Sequence, residues 1–331
     1  MAEFFSRSKR EVVSEVASSV RGRSVRLDPI EYHERVEPIN GKHRIIGRET
    51  PMMQLYDYVA VLALAPMLDA KIGHYQTASV PGRGQRLAQR TLKRWVRGDE
   101  SRYYVKMDVR KCYPSVDRSV LMALLRRDCG SDDALYLVET IASEYPAGLN
   151  IGSYLSMYLA NYYLSYAYHF ATERLRKTRL NRRTGELSDK RLVSHVLFYM
   201  DDIALLGRDK RDLKMAARRL ARYLREHLHL EVKPWKVCRT DCEPLDMVGY
   251  VFRTTSTTVR SGIFLRARRA FRRARRRPRV PLALAYRCVS YYGFLRHSDC
   301  VSFRIRERID ATAERCRRVV SSAARARASA S

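Results

Sequence analysis

Four consecutive residues, Tyr199-Met200-Asp201-Asp202, set the hardest condition on this chain. Apolar, strand-like runs enclose them, His195-Val196-Leu197-Phe198 before and Ile203-Ala204-Leu205-Leu206 after. Two such runs around a short polar insert read as a β-hairpin with acids at its tip. Adjacent carboxylates between buried strands are unfavourable unless something binds them. A divalent cation resolves the conflict, and an acidic pair on a hairpin is what a two-metal nucleotidyl-transfer site needs. A lone Asp-Asp is more commonly a turn or a helix cap, so a third ligand has to be found elsewhere.

Asp108 supplies it. It closes the β-rich run Tyr103-Tyr104-Val105-Lys106-Met107-Asp108 and precedes a turn-prone Pro114-Ser115. The acids lie far apart in sequence, so only tertiary folding brings them together. Two Mg²⁺ ions shared by Asp108 and the hairpin acids would activate a primer 3′-hydroxyl and hold an incoming triphosphate. Carboxylate, phosphate and water oxygens suit Mg²⁺. Asp117 follows Pro114-Ser115 and reads as the cap of a helix beginning near Arg118, not as a metal ligand.

These residues carry a resemblance to reverse transcriptases that runs through most of the chain. Tyr199-Met200-Asp201-Asp202 resembles the family's Tyr-x-Asp-Asp hairpin, and Asp108 with Tyr113 five residues on resembles its first palm motif. Gly148-Leu149-Asn150-Ile151-Gly152-Ser153, running into Leu159-Ala160-Asn161, resembles the second. Leu230-Glu231-Val232-Lys233, after an amphipathic helix from Asp209 to His227, resembles the fourth. Met247-Val248-Gly249-Tyr250-Val251-Phe252 is similar to the primer-grip hairpin. The chain departs from the family at Ile151 and Met157, where many members have Gln, or Gln or Pro. Ile151 argues against side-chain readout of the nucleotide there.

The resemblance implies roles by position. Asp108, Asp201 and Asp202 hold the metals, with the Val109 carbonyl as a further ligand. Arg44 neutralises triphosphate charge, with Lys42 and Arg35 as weaker matches. Tyr113 is the steric gate under the sugar, favouring deoxynucleotides. Gly152 lets backbone approach the nucleotide, and Lys233 lies near the leaving pyrophosphate. Tyr199, Gly249, Tyr250, Arg268, Arg272 and Arg275 contact primer and template. The last three lie on the basic run Arg266 to Arg279, which resembles a thumb helix tracking a template–primer duplex. Tyr291-Tyr292-Gly293-Phe294-Leu295-Arg296-His297 resembles the thumb signature of bacterial members.

Composition agrees. Lys and Arg number 64 against 35 acids, a net charge of +29, which points to a polyanion partner. A 46% hydrophobic content over 331 residues can bury a sizeable core. The seven cysteines are scattered and form no disulfide framework or zinc set. No apolar run reads as long enough to span a bilayer, Val59 to Leu68 being interrupted by Pro66, so a cytoplasmic protein with no membrane partner is expected.

Along the chain, Glu11 to Val20 reads as a helix, Asn40-Gly41 as a hairpin turn and Pro51 to Leu68 as a long helix. Arg83, in the Gly-rich stretch Ser79 to Gln85, is open to a phosphate contact or a solvated turn. Arg174 to Arg191 reads as a basic hairpin insertion turning at Thr184-Gly185. The expected fold is an α+β right hand: N-terminal extension and fingers at 1–99, a palm with a small antiparallel sheet packed on helices at 100–257, a helical thumb at 258–320 and a disordered tail at 321–331. The implied activity is RNA-directed DNA synthesis using dNTPs, a primer or cDNA end and two Mg²⁺ ions. The template is expected to be a dedicated noncoding RNA, with an accessory protein or homo-oligomer as a further partner. The setting implied is antiphage defence or a diversity-generating retroelement of bacterial or phage type. An RNA-dependent RNA polymerase on the same palm and a non-catalytic RNA-binding scaffold are the alternatives.

Overall fold

The computed structural model describes residues 7–36, 43–180, 183, 185 and 187–328. Asn40-Gly41, Lys42 and Thr184 lie outside them. The chain divides into two compact units, Met1–Ala88 with Asp99–Cys238, and Gln89–Gly98 with Arg239–Ser331. The second unit thus takes in 89–98 and resumes at 239, whereas the sequence reading bounds a thumb at 258.

The first unit opens with α1 (Lys9–Arg21), started by a capping box between Ser8 and Glu11. Strands β1 (Glu31–Val36) and β2 (His43–Arg48) pair antiparallel, Arg35 opposite Arg44. α2 (Pro51–Lys71) has Thr50 as N-cap and Pro51 in its first turn. At 21 residues it is long and apolar enough to cross a membrane by length and composition, which corrects the expectation of no such segment. Here it serves as a core helix, with Met53, Tyr56, Ala60, Val61, Leu64 and Leu68 buried. α3 (Gly84–Arg97) begins in this unit and belongs to the second from Gln89 on; β3 (Tyr103–Asp108), α4 (Arg118–Asp128) and α5 (Asp132–Ser143) follow. Asp117 caps α4 as expected, accepting from the Ser119 and Val120 N–H groups. The Ser119 hydroxyl and His229 hold its carboxyl down at about 2.

α6 (Tyr154–His169) is almost wholly buried and runs into a π-helical turn, Phe170–Arg174. Strands β4 (Arg176–Leu180) and β5 (Leu187–Arg191) form the basic hairpin insertion. β6 (His195–Tyr199), β7 (Asp202–Gly207), α7 (Lys210–Leu228) and β8 (Val237–Arg239) complete the unit. Its central sheet runs β6-β7-β3-β8. Strand alternation then separates two faces. Val105, Met107, Ile203, Leu205, Val196 and Phe198 point into the helical core. Lys106, Asp108, Asp202 and Ala204 share the opposite face through the register Asp108↔Asp202 and Lys106↔Ala204. α7 contributes Leu213, Ala216, Ala217, Leu220, Leu224 and Leu228, an apolar stripe at helical spacing. Its small alanines allow close approach to β3 and β7.

The second unit holds β9 (Leu245–Met247), β10 (Tyr250–Phe252) and β11 (Thr257–Val259), ordered β11-β10-β9. Four helices follow: α8 (Ser261–Arg275), α9 (Leu282–Arg296), α10 (Val301–Arg306) and α11 (Ile309–Ala328). Asp299 ties the unit together, meeting Lys93 Nζ at 2.8 Å and Arg97 Nη2 at 2.9 Å and accepting from the Thr257 N–H at 2.7 Å. Residues 321–328, placed in a disordered tail from composition, continue α11, because alanine and arginine are both strong helix formers.

A buried polar cluster joins β2 to α6 in the first unit. Asp57 Oδ2 accepts from Ser153 Oγ at 2.7 Å and from the Leu155 N–H at 3.0 Å, so it caps α6. Glu49, 5% exposed, is hydrogen-bonded to Asp57 and accepts from Asn150 Nδ2 at 3.2 Å. Burial and the neighbouring Asp57 push the Glu49 carboxyl up to about 7, and it keeps the shared proton because Asp57 has the donors. Between the ordinary glutamate range and pH 7 the folded chain therefore binds a proton that the unfolded chain has released, and stability falls as pH rises through that window. Glu49→Gln mimics the protonated acid. Thermal unfolding of wild type and variant should diverge between pH 5 and 7.5, wild type losing on the order of 1–3 kcal/mol relative to Glu49→Gln; parallel curves would refute the shared proton.

Candidate active site

The β3–β7 register builds the centre of the site. Asp108 and Asp202 are directly opposed partners, and the Val109 N–H donates to the Asp201 carbonyl at 3.0 Å. The three acids are thus brought together at one end of the sheet. Tyr199 pairs with Asp202 across the hairpin, leaving Met200 and Asp201 as the loop. Met200 is held at φ 56°, a left-handed conformation costing about 1 kcal/mol or more for a residue with a side chain. Its side chain is 8% exposed and belongs to the core cluster, and this anchorage fixes the strained turn. The apolar residue of the motif is a plug that sets the direction of the acid after it.

Electrostatics show how crowded the tip is. Burial pushes the Asp201 carboxyl up, and repulsion from Asp202 and Asp108 adds to it, while Arg44 pulls the other way. Asp108 Oδ1 is buried and has no aligned hydrogen-bond donor. Lys233 Nζ stands 2.6 Å from it as an ion contact without hydrogen-bond geometry. Asp202 Oδ1 lies 3.1 Å from Lys106 Nζ. Among the described residues no three His, Cys, Asp or Glu side chains close into a metal cage. Two of the carboxylates are turned toward lysines instead. The donor chemistry nevertheless fits a hard divalent cation: three carboxylates, one with an orphaned buried oxygen, and self-repulsion that positive charge relieves.

Two carbonyls need separate treatment. The Asp108 carbonyl accepts from the Lys233 N–H at 2.9 Å, and the Arg110 N–H donates to Glu231 O at 2.7 Å, so residues 231–233 are stitched beside β3. Val109 makes neither bond. Because N–H and C=O of an extended residue point to the same side, the Val109 carbonyl faces Asp201, the partner of its own N–H. Lys233 thus acts twice on Asp108, through its amide and its ammonium.

Tyr113 follows a tight turn that Lys111 opens at φ 45°. Its carbonyl accepts from the Leu149 N–H at 2.9 Å, tying the first acidic motif to the Gly-rich loop. Burial pushes its hydroxyl up, and Asp201 adds to this while Arg44 opposes it. Arg44, exposed on β2, is therefore within electrostatic reach of both Tyr113 and Asp201. Gly148, at φ 51°, would drive a Cβ to 2.4 Å from the Tyr113 carbonyl. Gly152, at φ 122°, would drive one to 2.6 Å from the Gly47 carbonyl. The Gly47 N–H donates to Ile151 O at 3.0 Å. Gly152 is glycine because β2 lies against it, a structural reason beside the expected closeness to a nucleotide.

Sequence reasoning assigns no role to Lys106 or the Glu49–Asp57 pair, and reads Cys112 as a residue of the first palm motif with nothing nearby to make it a nucleophile. Lys106 was findable, since it stands two residues before Asp108 and must share its face. Gly47 inside a β-run is likewise a signal of close backbone approach. Cys112 lies buried beside the acids, and burial first, then Asp201 and Asp108, push its thiol up. Arg83 Nη1 donates to the Gly73 carbonyl at 2.5 Å, beside the end of α2.

The remaining residues lie in the second unit. Val248 and Gly249 form the loop between β9 and β10 with φ 49° and 84°, the signature of a type I′ turn. Tyr250 pairs with Met247 and is buried. On α8, Ile263, Ala267, Ala270, Phe271 and Ala274 are buried, leaving Arg268 and Arg272 exposed. Arg275 is already engaged, its Nη1 2.9 Å from Glu307 Oε2, which weakens its expected duplex contact.

Comparison with known proteins follows this geometry. The profile of the family described as Reverse transcriptase (RNA-dependent DNA polymerase) matches residues 33–252, about two thirds of the chain. Among solved structures, a telomerase from Candida albicans, complexed with a TWJ fragment of telomeric RNA, aligns at TM-score 0.50 and 12% identity. That alignment covers 72% of this chain and 46% of that one. Apo telomerase from Candida tropicalis, truncated and untruncated, aligns at TM-score 0.47 with 13% and 12% identity, over 70% and 76% of this chain and 54% of each of those. The chain thus spans about half the length of these telomerases, and the first of them shares its fold. No curated protein matches. The fold is the α+β right hand of polymerases, and the family match takes in β2, the acidic strands and the β9–β10 hairpin alike: the chain belongs to the reverse transcriptase family.

Proposed function

We propose that this chain copies an RNA template into DNA. The observation that carries the reading is the convergence of Asp108 with Asp201 and Asp202 on the sheet face opposite the helical core. Asp108, Asp201, Asp202 and the Val109 carbonyl would hold two Mg²⁺ ions. When bound, the ions supply activation of the primer hydroxyl and neutralisation of the leaving pyrophosphate.

The chain's own residues do the rest. Met200, plugged into the core, fixes where Asp201 points. Lys106 and Lys233 supply positive charge to the carboxylates, and Lys233 would donate a proton to the departing phosphate. Arg44 neutralises triphosphate charge from the β1–β2 hairpin, whose position the Gly47–Gly152 contact sets. Tyr113 lies under the sugar, where its ring excludes a 2′-hydroxyl. That ring favours DNA over RNA synthesis. Three mutually repelling acids have no role in a non-catalytic scaffold.

The template on this reading is a dedicated noncoding RNA, in antiphage defence or a diversity-generating retroelement of the cytoplasm. The resemblance of Tyr291 to His297 to the thumb signature of bacterial members supports both settings. On this reading the N-terminal extension and fingers take residues 1–99, the palm 100–257 and the thumb 258–320.

Two experiments test the proposal. Asp201→Ala should abolish dNTP incorporation into a primed RNA template, while RNA affinity by filter binding changes less than about threefold. An Asp201→Ala enzyme that extends primers normally disproves the metal assignment. Tyr113→Ala should leave dNTP incorporation measurable and raise ribonucleotide use relative to it by roughly 10- to 100-fold. An unchanged ratio in single-nucleotide kinetics removes Tyr113 from the sugar site.

A further inference from the structure

One face of α7 has no part in the polymerase reading. Its apolar stripe packs against the sheet on the side away from the acids. Its other face carries Arg211, Lys214, Arg218, Arg222 and Arg225, all exposed. They recur every three or four residues, so they line up at one cation per turn, about 5.4 Å apart along some 21 Å of helix. Among the described residues only Arg225 of these five meets a carboxylate, Glu226 at 3.6 Å. A solvated helix face ordinarily mixes signs at these spacings. A row of like charges at these spacings destabilises a helix.

The β4–β5 hairpin is fastened along the same helix. Lys177 and Lys190, cross-strand partners, both ion-pair with the buried Asp212 of α7, Lys190 at 2.9 Å. Further along α7, Arg219 Nη1 donates to the Arg176 carbonyl at 2.8 Å and Nη2 to the Arg174 carbonyl at 3.2 Å. Three cationic side chains, Lys177, Lys190 and Arg219, thus fasten the hairpin to α7, so a second basic element flanks the stripe. Arg191, exposed on β5, adds to the same field.

We propose that the outer face of α7, with the β4–β5 hairpin beside it, docks the phosphate backbone of a double-stranded RNA segment. The stripe carries cations at phosphate-like intervals and no aromatic platform, and single-strand binders rely on base stacking. Backbone contact to a duplex needs only charge in register. Because the stripe and the acids lie on opposite sides of the sheet, this RNA is not the segment being copied. Choosing RNA over DNA rests on the proposed function; the docking itself does not depend on catalysis.

The test uses the full chain carrying Lys214→Glu, Arg218→Glu and Arg222→Glu together. Binding of a primerless RNA hairpin is followed by fluorescence anisotropy across a salt series, and extension is measured on a short single-stranded template with an annealed primer. The triple variant should show a salt slope shallower by about three and roughly 100-fold weaker hairpin binding at physiological salt. Extension of the short template should be unchanged, which also reports that the variant is folded. A companion with Arg218→Lys and Arg222→Lys should keep the wild-type slope. An unchanged slope in the charge-reversed variant overturns the proposal, as does an equal loss of extension. Tighter binding of duplex DNA than RNA, or displacement by an acidic peptide where RNA fails to compete, would reassign the surface to another partner. A chain with inactive polymerisation but wild-type-like docking losses would sink the catalytic reading and leave this one standing.

Discussion

The pairing of β3 with β7 is the constraint on which the site depends. It fixes Asp108 opposite Asp202, and strand alternation then decides which residues meet the helical core and which share the face of the acids. A slip of one residue would exchange the faces, carrying Asp108 and Lys106 into the apolar core and Met107 out of it. The hydrophobic demand of Val105, Met107, Ile203 and Leu205 therefore selects the register that collects the acids. Carboxylates that repel each other are tolerated because core burial on the other face outweighs them and because two lysines lend them charge.

A second constraint connects the β1–β2 hairpin to this centre. Gly47 and Gly152 let two backbones touch where any side chain would collide. The cluster beneath them, Glu49, Asp57, Asn150 and Ser153, contains one acid too many for full ionisation, and a retained proton reconciles it with burial. The cationic hairpin is thus referenced to the start of α6 by backbone contact and to α2 by a hydrogen bond between acids. Its reach toward Asp201 follows from packing that is remote from the carboxylates themselves.

Elements with strong periodicity were legible in the chain. The α7 stripe, the Asp117 cap and the β6–β7 tip each follow from local pattern and spacing, the β9–β10 hairpin follows from the family resemblance, and each stands where expected. Tertiary pairings were not legible. Nothing local to Glu49 or Asp57 announces that they share a proton, since one is an acid just before α2 and the other an acid within it. Arg275 looks free in a run of arginines until Glu307 meets it from a later helix. The extended α11 shows the opposite case, where small-residue composition suggested a loose tail and helix propensity prevailed. Span-length apolarity in α2 was underestimated because Pro66 was given more weight than a proline within a packed helix has.

Met200 links the chemistry of the tip to the condition of the interior. Its thioether is seated among apolar neighbours, and the backbone twist that aims Asp201 holds only while it stays there. An oxygen added to that sulfur would make the seat unfavourable and release the turn. Oxidative damage to a single side chain bearing no charge would then misdirect the acids without touching them, so this enzyme's fidelity to its own geometry is tied to the redox history of one buried sulfur.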